Sequence, residues 1–353
     1  MPQIVSDPAD VTSAWLTEVL EHGGVHATIA DFKATNVGTG QVGQNVRFEL
    51  DYQAGIGPAS IVGKFASADP TSRSTGIAQN NYLKEVRFYQ ELKPSLDIQT
   101  PDVLFTAIDP ASHDFCLMME DLAPAEQGDQ IAGCNAAQAN LAITQAVRLH
   151  APRWGDAALR EFDWLGQQTA ESADMGQQMY QHLFPGFVER YQSRLTQAHL
   201  NIAERLGASF AHWSNGYEGP LTVIHGDFRL DNMLFGGPYP LTVVDWQTPG
   251  HGAAMSDVAY FLGAGLTPKY RQRHEHDLVR SYHAQLRASG VDDYPFEDCW
   301  NHYRRFSFSG LLMAVIASMI VCQTDRGDDM FMAMASRHAQ QAIDLQAGDF
   351  LRS

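Results

Sequence analysis

Two short stretches, each opening with β-formers and reaching a carboxylate where its apolar run ends, stand among long helical stretches of this chain and constrain its fold more than any other feature. The first is Val223–Phe235, VIHGDFRLDNMLF, and the second is Leu241–Gln247, LTVVDWQ. Past the apolar start of the first run, a polar loop carries Asp227, Arg229, Asp231 and Asn232. In the second, Asp245 follows LTVV, eighteen residues after Asp227. Two carboxylates and one carboxamide on adjacent strand or loop ends can steer a hydroxyl and hold Mg²⁺ beside a triphosphate. The remainder of the chain is expected to form two lobes around this loop.

Length and composition agree with that expectation. A chain of 353 residues can bury a large core and divide in two. The balance of 24 basic against 41 acidic residues, a formal charge of -17, argues against a general nucleic-acid or anionic-membrane binder. A local basic pocket for nucleotide phosphates stays open, because steering and pocket chemistry act on different scales. Cys116, Cys134, Cys299 and Cys322 are scattered and form no CxxC pair. Buried thiols in a reducing, cytoplasmic setting are expected from that pattern, and no apolar signal segment accompanies Asp7 and Asp10. Phe306–Cys322 is uncharged for seventeen residues, yet it is short for a span and interrupted by Ser307, Ser309, Gly310 and Ser318. A buried helix is expected there, with no membrane insertion. Oligomeric state is not readable from the pattern.

Asp7-Pro8 opens a helix running to about Leu20, stopped by Gly23-Gly24. Strand-like runs follow at about Thr28–Ala34, Asn45–Tyr52, Ser60–Phe65, Pro101–Ile108 and Phe115–Met119. Between the first two lies Gly38-Thr39-Gly40-Gln41-Val42-Gly43. Gly40 and Gly43 would let backbone N–H groups approach phosphates, and a plain surface turn reads equally well. Lys64 stands near the end of the third strand. The helical run Asn80–Leu92 turns Tyr82, Val86, Tyr89 and Leu92 inward, with Glu85 beside that stripe. A half-buried glutamate needs a partner, and Lys64 is available; the alternative is an exposed network of Lys84, Glu85 and Arg87. Met119–Leu122 reads as the crossing between lobes, where backbone near Met119, Glu120 and Asp121 can meet an adenine edge. Helices are then expected at Ala136–Leu149, at Ala173–Arg205 with one or more breaks and a bend or change of helix at Pro185-Gly186, at His274–Ala288, at Phe296–Val321 and at Asp329–Gln346.

Within the polar loop, Asp227 is the preferred catalytic residue, accepting a hydrogen bond from an acceptor hydroxyl and its proton late in transfer. Asn232 can offer its carbonyl oxygen to Mg²⁺, and Asp245 a charged oxygen. His225 reads as a neutral imidazole that fixes the approach to Asp227. Arg229 and Asp231 fit structural and substrate-facing roles equally. Asp257, in GAAMSDVAY, reads as a helix cap or interloop tether rather than a metal ligand.

Taken together, IVGKF around Lys64, YLKEVRFYQEL around Glu85, MMEDL at 118–122, HGDFRLDN at 225–232 and VVDWQ at 243–247 resemble the aminoglycoside phosphotransferase-like superfamily. More specifically, they look like its ecdysteroid-kinase-like and related bacterial small-molecule kinase branches. The resemblance covers roughly residues 28–262 and implies an α+β, protein-kinase-like bilobal fold. Residues 1–121 would form a nucleotide-binding lobe with an antiparallel sheet, and residues 122–353 a helical catalytic and substrate-binding lobe. It implies that Lys64 contacts ATP phosphates, Glu85 orients Lys64, Asp227 is the catalytic base, and Asn232 and Asp245 hold Mg²⁺. HGD and DWQ stand where protein kinases carry HRD and DFG, which favours a small hydroxylated acceptor. An atypical protein kinase and a nucleotide-binding pseudoenzyme acting as an interaction protein are the alternatives.

Overall fold

Alternation of apolar and polar residues builds the N-terminal lobe. From Val46 to Asp51 it puts Val46, Phe48 and Leu50 on one buried face, with Glu49 and Asp51 exposed on the other. That strand, β2 (Gly43–Gly55), pairs antiparallel with β1 (Ala27–Val37) and β3 (Ser60–Ala66). β4 (Val103–Ile108) and β5 (Phe115–Glu120) complete an antiparallel five-stranded sheet in the order β1-β2-β3-β5-β4. The computed structural model describes residues 1–38 and 43–352, so Gly40, with Thr39, Gln41 and Val42, lies outside the described residues. The architecture is the expected bilobal α+β, protein-kinase-like one, with a sheet lobe and a mainly helical lobe.

Helix α1 (Ser13–His22), capped by the Thr12 hydroxyl, lays Trp15, Leu16, Val19 and Leu20 against Ile29, Phe48, Ile61, Phe105 and Met118. Burying a side chain of that size contributes roughly 1.5–3 kcal/mol, so packing holds this ten-residue helix on the sheet more than propensity does. The expected helix from Asp7 to Leu20 is split: Pro8–Asp10 makes one 3-10 turn, and Thr12 starts the α-helix afresh. A short helix absent from the sequence reading, α2 (Pro70–Ala78), is capped by Asp69; its nine residues bury only Gly76 and carry no apolar stripe. The expected Asn80–Leu92 helix is α3 (Asn81–Arg87) followed by a π-helical turn, Phe88–Leu92. The compact N-terminal unit comprises Met1–Ser95, Gln99–Ala125 and Gly236–Thr248. The last of these contributes β10 (Leu241–Val243), whose Val243 N–H donates to the Gln99 carbonyl at 2.9 Å.

In the C-terminal lobe the central post is α7 (Ala254–Gly265), buried at every position except Ser256. Around it pack α4 (Ala136–His150), α8 (Pro268–Ala288), α9 (Phe296–Arg305), α10 (Ser309–Ile320) and α11 (Asp325–Asp344). Gly263 and Gly310 permit this closeness: a Cβ on Gly310 would lie 1.9 Å from His338 Nε2, and one on Gly263 would lie 2.1 Å from Gln341 Oε1. α5 (Ala170–Tyr191) and α6 (Gln197–Asn215) pair beside α10. Short strands carry the polar loop. β8 (Leu221–Ile224) pairs with β11 (Gly250–Ala253), which also pairs with β7 (Gly166–Gln167), and β6 (Glu126–Gln127) pairs with β9 (Met233–Phe235).

Three expectations need correction in this lobe. Helix α5 continues through Pro185 without a change of helix, which falls instead at Gln192–Thr196. Proline costs one backbone hydrogen bond, but the stacked rings of Tyr180, Phe184 and Phe187 hold the turns together across it. The stretch expected as one helix at Phe296–Val321 is α9, a 3-10 turn at Phe306–Phe308, and α10. Of the four thiols, Cys116 and Cys299 are buried, Cys134 is half-buried, and Cys322, just past the end of α10, is exposed. Among the described residues no helix is long and apolar enough to cross a membrane.

Candidate active site

In the N-terminal lobe the expected lysine and glutamate meet. Lys64 on β3 and Glu85 on α3 are both buried, and the ammonium lies 2.8 Å from the Glu85 carboxylate. The same ammonium lies 2.6 Å from Oδ1 of Asp245, just past β10. Burial works against the charge on Lys64, yet Asp245 and Glu85 outweigh it and hold the ammonium's pKa above its usual value. Burial pushes the Glu85 carboxyl upward; Lys64 opposes the shift and Asp245 adds to it. One ammonium is thus shared between two carboxylates, which leaves a local excess of negative charge.

Asp245 adopts a left-handed backbone with φ +67, a conformation aspartate tolerates better than bulkier residues. Its neighbour Trp246 is fully buried and stacks on Phe88, with ring centres 3.8 Å apart and planes within 3°. The stack ties the segment bearing Asp245 to the turn that follows Glu85. Gly43 lies across the ladder from Ala66, and a Cβ there would come within 3.1 Å of the Lys64 stem. Met119 is flanked by Val62 and Val103 within the sheet. Glu120 donates its N–H to the Asp102 carbonyl, and the Asp121 carboxylate accepts from Arg47, Ser60 and Ala123.

In the C-terminal lobe the HGD loop is held from behind by α7. The Asp257 carboxylate accepts the backbone N–H groups of His225 at 2.7 Å and Gly226 at 3.0 Å, and it also meets His150 Nε2 at 3.3 Å. It is an interloop tether. Gly226, at φ +79, makes the turn that a Cβ would strain. His225 Nδ1 accepts from the Asp227 N–H at 3.3 Å, which ties the imidazole to the loop backbone.

The Asp227 carboxylate receives three donors. Oδ2 accepts from Arg229 Nε at 3.0 Å and Asn232 Nδ2 at 2.9 Å, and Oδ1 accepts from the Tyr260 hydroxyl at 2.7 Å. Burial raises the carboxyl's pKa, but Arg229 and the Tyr260 hydrogen bond prevail and hold it below the usual carboxylate value. Arg229 uses a second edge on Asp231 at 3.0 Å, and Asp231 also accepts the Gln130 N–H. Sequence reasoning missed Tyr260. It lies three residues past Asp257 in SDVAY and looks like one more apolar position of α7; only its one-turn offset from Asp257 points to it.

Asn232 and Asp245, the two expected metal ligands, belong to different lobes. Each fits a hard cation on its own terms. Both hydrogen bonds from Asn232 leave through Nδ2, to the carbonyl and carboxylate of Asp227, so among the described residues its side-chain carbonyl oxygen accepts none. The Asp245 side chain is 38% exposed, and the shared ammonium leaves its charge incompletely compensated. Oxygen donors of this kind suit Mg²⁺. Among the described residues no cluster of three or more His, Cys, Asp or Glu could hold a metal alone.

Comparison with known proteins bears on the family and the fold. Residues 70–296 match the phosphotransferase enzyme family model, APH. The chain is similar to mouse (Mus musculus) acyl-CoA dehydrogenase family member 10, 33% identical over 106 residues, which is 25% of this chain and 9% of that protein's length. Among solved structures it resembles spectinomycin phosphotransferase APH(9)-Ia in complex with ADP and spectinomycin. That match has a TM-score of 0.52 at 11% identity and covers 96% of this chain and 99% of the other. Macrolide 2'-phosphotransferase from Brachybacterium faecium is similar with a TM-score of 0.51 at 14% identity, over 90% and 97% of the two chains. At such identities these structures speak to the fold alone. The family model spans well over half the sequence, and on that ground the chain belongs to the phosphotransferase enzyme family.

Proposed function

We propose that the chain transfers the γ-phosphoryl group of ATP, with Mg²⁺, to a hydroxyl of a small organic molecule. Asp227 carries this reading: its carboxylate is kept ionised by Arg229 and oriented by three donors, in a chain of phosphotransferase family. The acceptor oxygen would attack the γ-phosphorus as the bond to the β–γ bridging oxygen breaks. ADP leaves with that electron pair, and the hydroxyl proton passes to Asp227. A weakly basic carboxylate suits a transition state in which little bond to the nucleophile has formed, because its work is to position the hydroxyl.

Nucleotide handling is assigned to the N-terminal lobe, residues 1–121 with the Gly236–Thr248 segment. There Lys64 would bind phosphate oxygens, Glu85 would keep its ammonium in place, and Gly40 and Gly43 would give the phosphates room. Backbone at Met119–Asp121 would meet adenine. Mg²⁺, held by Asp245 and Asn232, would neutralise charge on the phosphate oxygens. In the C-terminal lobe His225 and Arg229 keep the loop and its carboxylate in place. Within the family, the motifs HGDFRLDN and VVDWQ support a reading as one of the ecdysteroid-kinase-like or related bacterial small-molecule kinases. Four free cysteines suit a cytoplasmic setting.

The test is a screen of hydroxylated metabolites with MgATP, followed by mass identification of the product. A phosphate monoester formed together with ADP supports the reading. Transfer to protein side chains, with no small-molecule product, would contradict it.

A further inference from the structure

A carboxylate offers about four acceptor directions, two on each oxygen. At Asp227 three are filled from within the lobe: Oδ2 takes Arg229 Nε and Asn232 Nδ2, and Oδ1 takes the Tyr260 hydroxyl. One direction is left among the described residues, and it belongs to the oxygen that Tyr260 already holds. From this geometry we infer that Tyr260 is the positioning residue that selects which oxygen of Asp227 meets the acceptor hydroxyl, and from which side.

Two helices make Tyr260 suited to that task. It sits one turn after Asp257 on α7, so one buried helix grips the backbone of the HGD loop with Asp257 and the side chain of Asp227 with Tyr260. Its ring is 4% exposed and packs against His338 of α11, with ring centres 5.6 Å apart. Two turns earlier on α11, Met330 Sδ lies 3.4 Å from Arg229 Nη1, the guanidinium whose Nε is the other charged-group contact on Asp227. Helix α11 therefore backs the donors to both carboxylate oxygens. Without the Tyr260 hydroxyl, Oδ1 would have no internal partner, and the carboxylate, held through Oδ2 alone, could turn about its last torsion and exchange which oxygen Arg229 and Asn232 hold.

This inference rests on the proposed role of Asp227, and two measurements on the full chain keep the two apart. The first is a crystal structure of Tyr260→Phe, which needs no turnover. The Asp227 carboxylate is expected to rotate or to occupy more than one orientation; a carboxylate superposing on that of the parent chain overturns the inference. The second uses MgATP with the acceptor that the metabolite screen returns. Tyr260→Phe should lower kcat for transfer by about 10–100-fold. KM for MgATP should hold within about twofold, while ATP hydrolysis by water rises relative to transfer, since water can meet either oxygen. Tyr180→Phe, which deletes a buried hydroxyl bonded to the Ala203 carbonyl on α6, serves as the control for a merely structural loss. It should leave the hydrolysis-to-transfer ratio unchanged. Transfer by Tyr260→Phe within about twofold of the parent, or the same ratio change in both variants, overturns the inference. If the parent chain transfers phosphate to no acceptor, the phosphotransferase reading fails by itself and the crystal structure still decides whether Tyr260 sets the carboxylate.

Discussion

The Lys64 ammonium stands 2.6 Å from Asp245 Oδ1, across 181 residues of chain, and on its other side it holds the buried Glu85. Glu85 is 1% exposed, so removing the ammonium strands a carboxylate in the core. Lys64→Met should destabilise the chain by about 3–5 kcal/mol. Adding Glu85→Gln should recover part of that loss, because the stranded charge goes with it. Thermal or urea unfolding of the two single variants and the double variant reads the coupling. Additive effects would mean that the two residues act independently.

Asp245→Ala removes the more exposed of the two carboxylates and leaves the Lys64–Glu85 pair intact. The variant should fold and should need a much higher Mg²⁺ concentration for nucleotide binding and turnover. Titration calorimetry of MgATP and of metal-free ATP separates the two effects. An unchanged magnesium dependence would reject Asp245 as a ligand.

Asp257→Ala deprives the N–H groups of His225 and Gly226, and His150 Nε2, of their shared acceptor. Each buried donor left unpaired costs about 1–3 kcal/mol, so a loss of several kcal/mol is expected, with turnover falling as the HGD loop relaxes. Asp257→Asn should be milder, since one amide oxygen can still accept. Thermal midpoints and kcat measured together check the order of the two variants.

His338 supplies a pH signature. Burial is the leading cause that pushes its pKa down to about 4, against an ordinary value near 6.5. Between those values the unfolded chain binds a proton that the folded chain refuses. The stability is therefore complete above about pH 6.5 and is lost as pH falls toward 4, up to about 3 kcal/mol from this group. His338→Asn should flatten that part of the stability profile, as followed by urea unfolding at a series of pH values. A profile of the same slope in both chains would place the titration elsewhere.

Much of this was legible from the linear chain because the chemistry is local there. HGDFRLDN brings Asp227, Arg229 and Asn232 together within six positions, and the loop hydrogen-bonds to itself. Alternation marks β2, with Val46, Phe48 and Leu50 on its buried face, whereas β5 stands out as a continuous apolar run whose first four residues are all buried. Lys64 and Glu85 could be paired because a glutamate beside a buried stripe requires a cation. Tyr260 could not be read in the same way. A tyrosine on a helix buried at all but one position looks like core until the fold shows what its hydroxyl touches, 33 residues from Asp227. The π turn after α3 and the passage of α5 through Pro185 were hidden for a related reason. At the first the Phe88–Trp246 stack is a tertiary contact, and at the second Tyr180, Phe184 and Phe187 stack along one face of α5 on both sides of the proline.

The most direct test of the phosphoryl-transfer account compares the parent chain with Asp227→Asn. Asparagine keeps the shape of the side chain and can no longer take the acceptor's proton. With MgATP and the acceptor identified by mass, kcat should fall by about 100-fold or more, while the MgATP dissociation constant stays within about threefold and the thermal midpoint shows a folded chain. A folded Asp227→Asn variant that turns over at a rate close to the parent's would contradict the account.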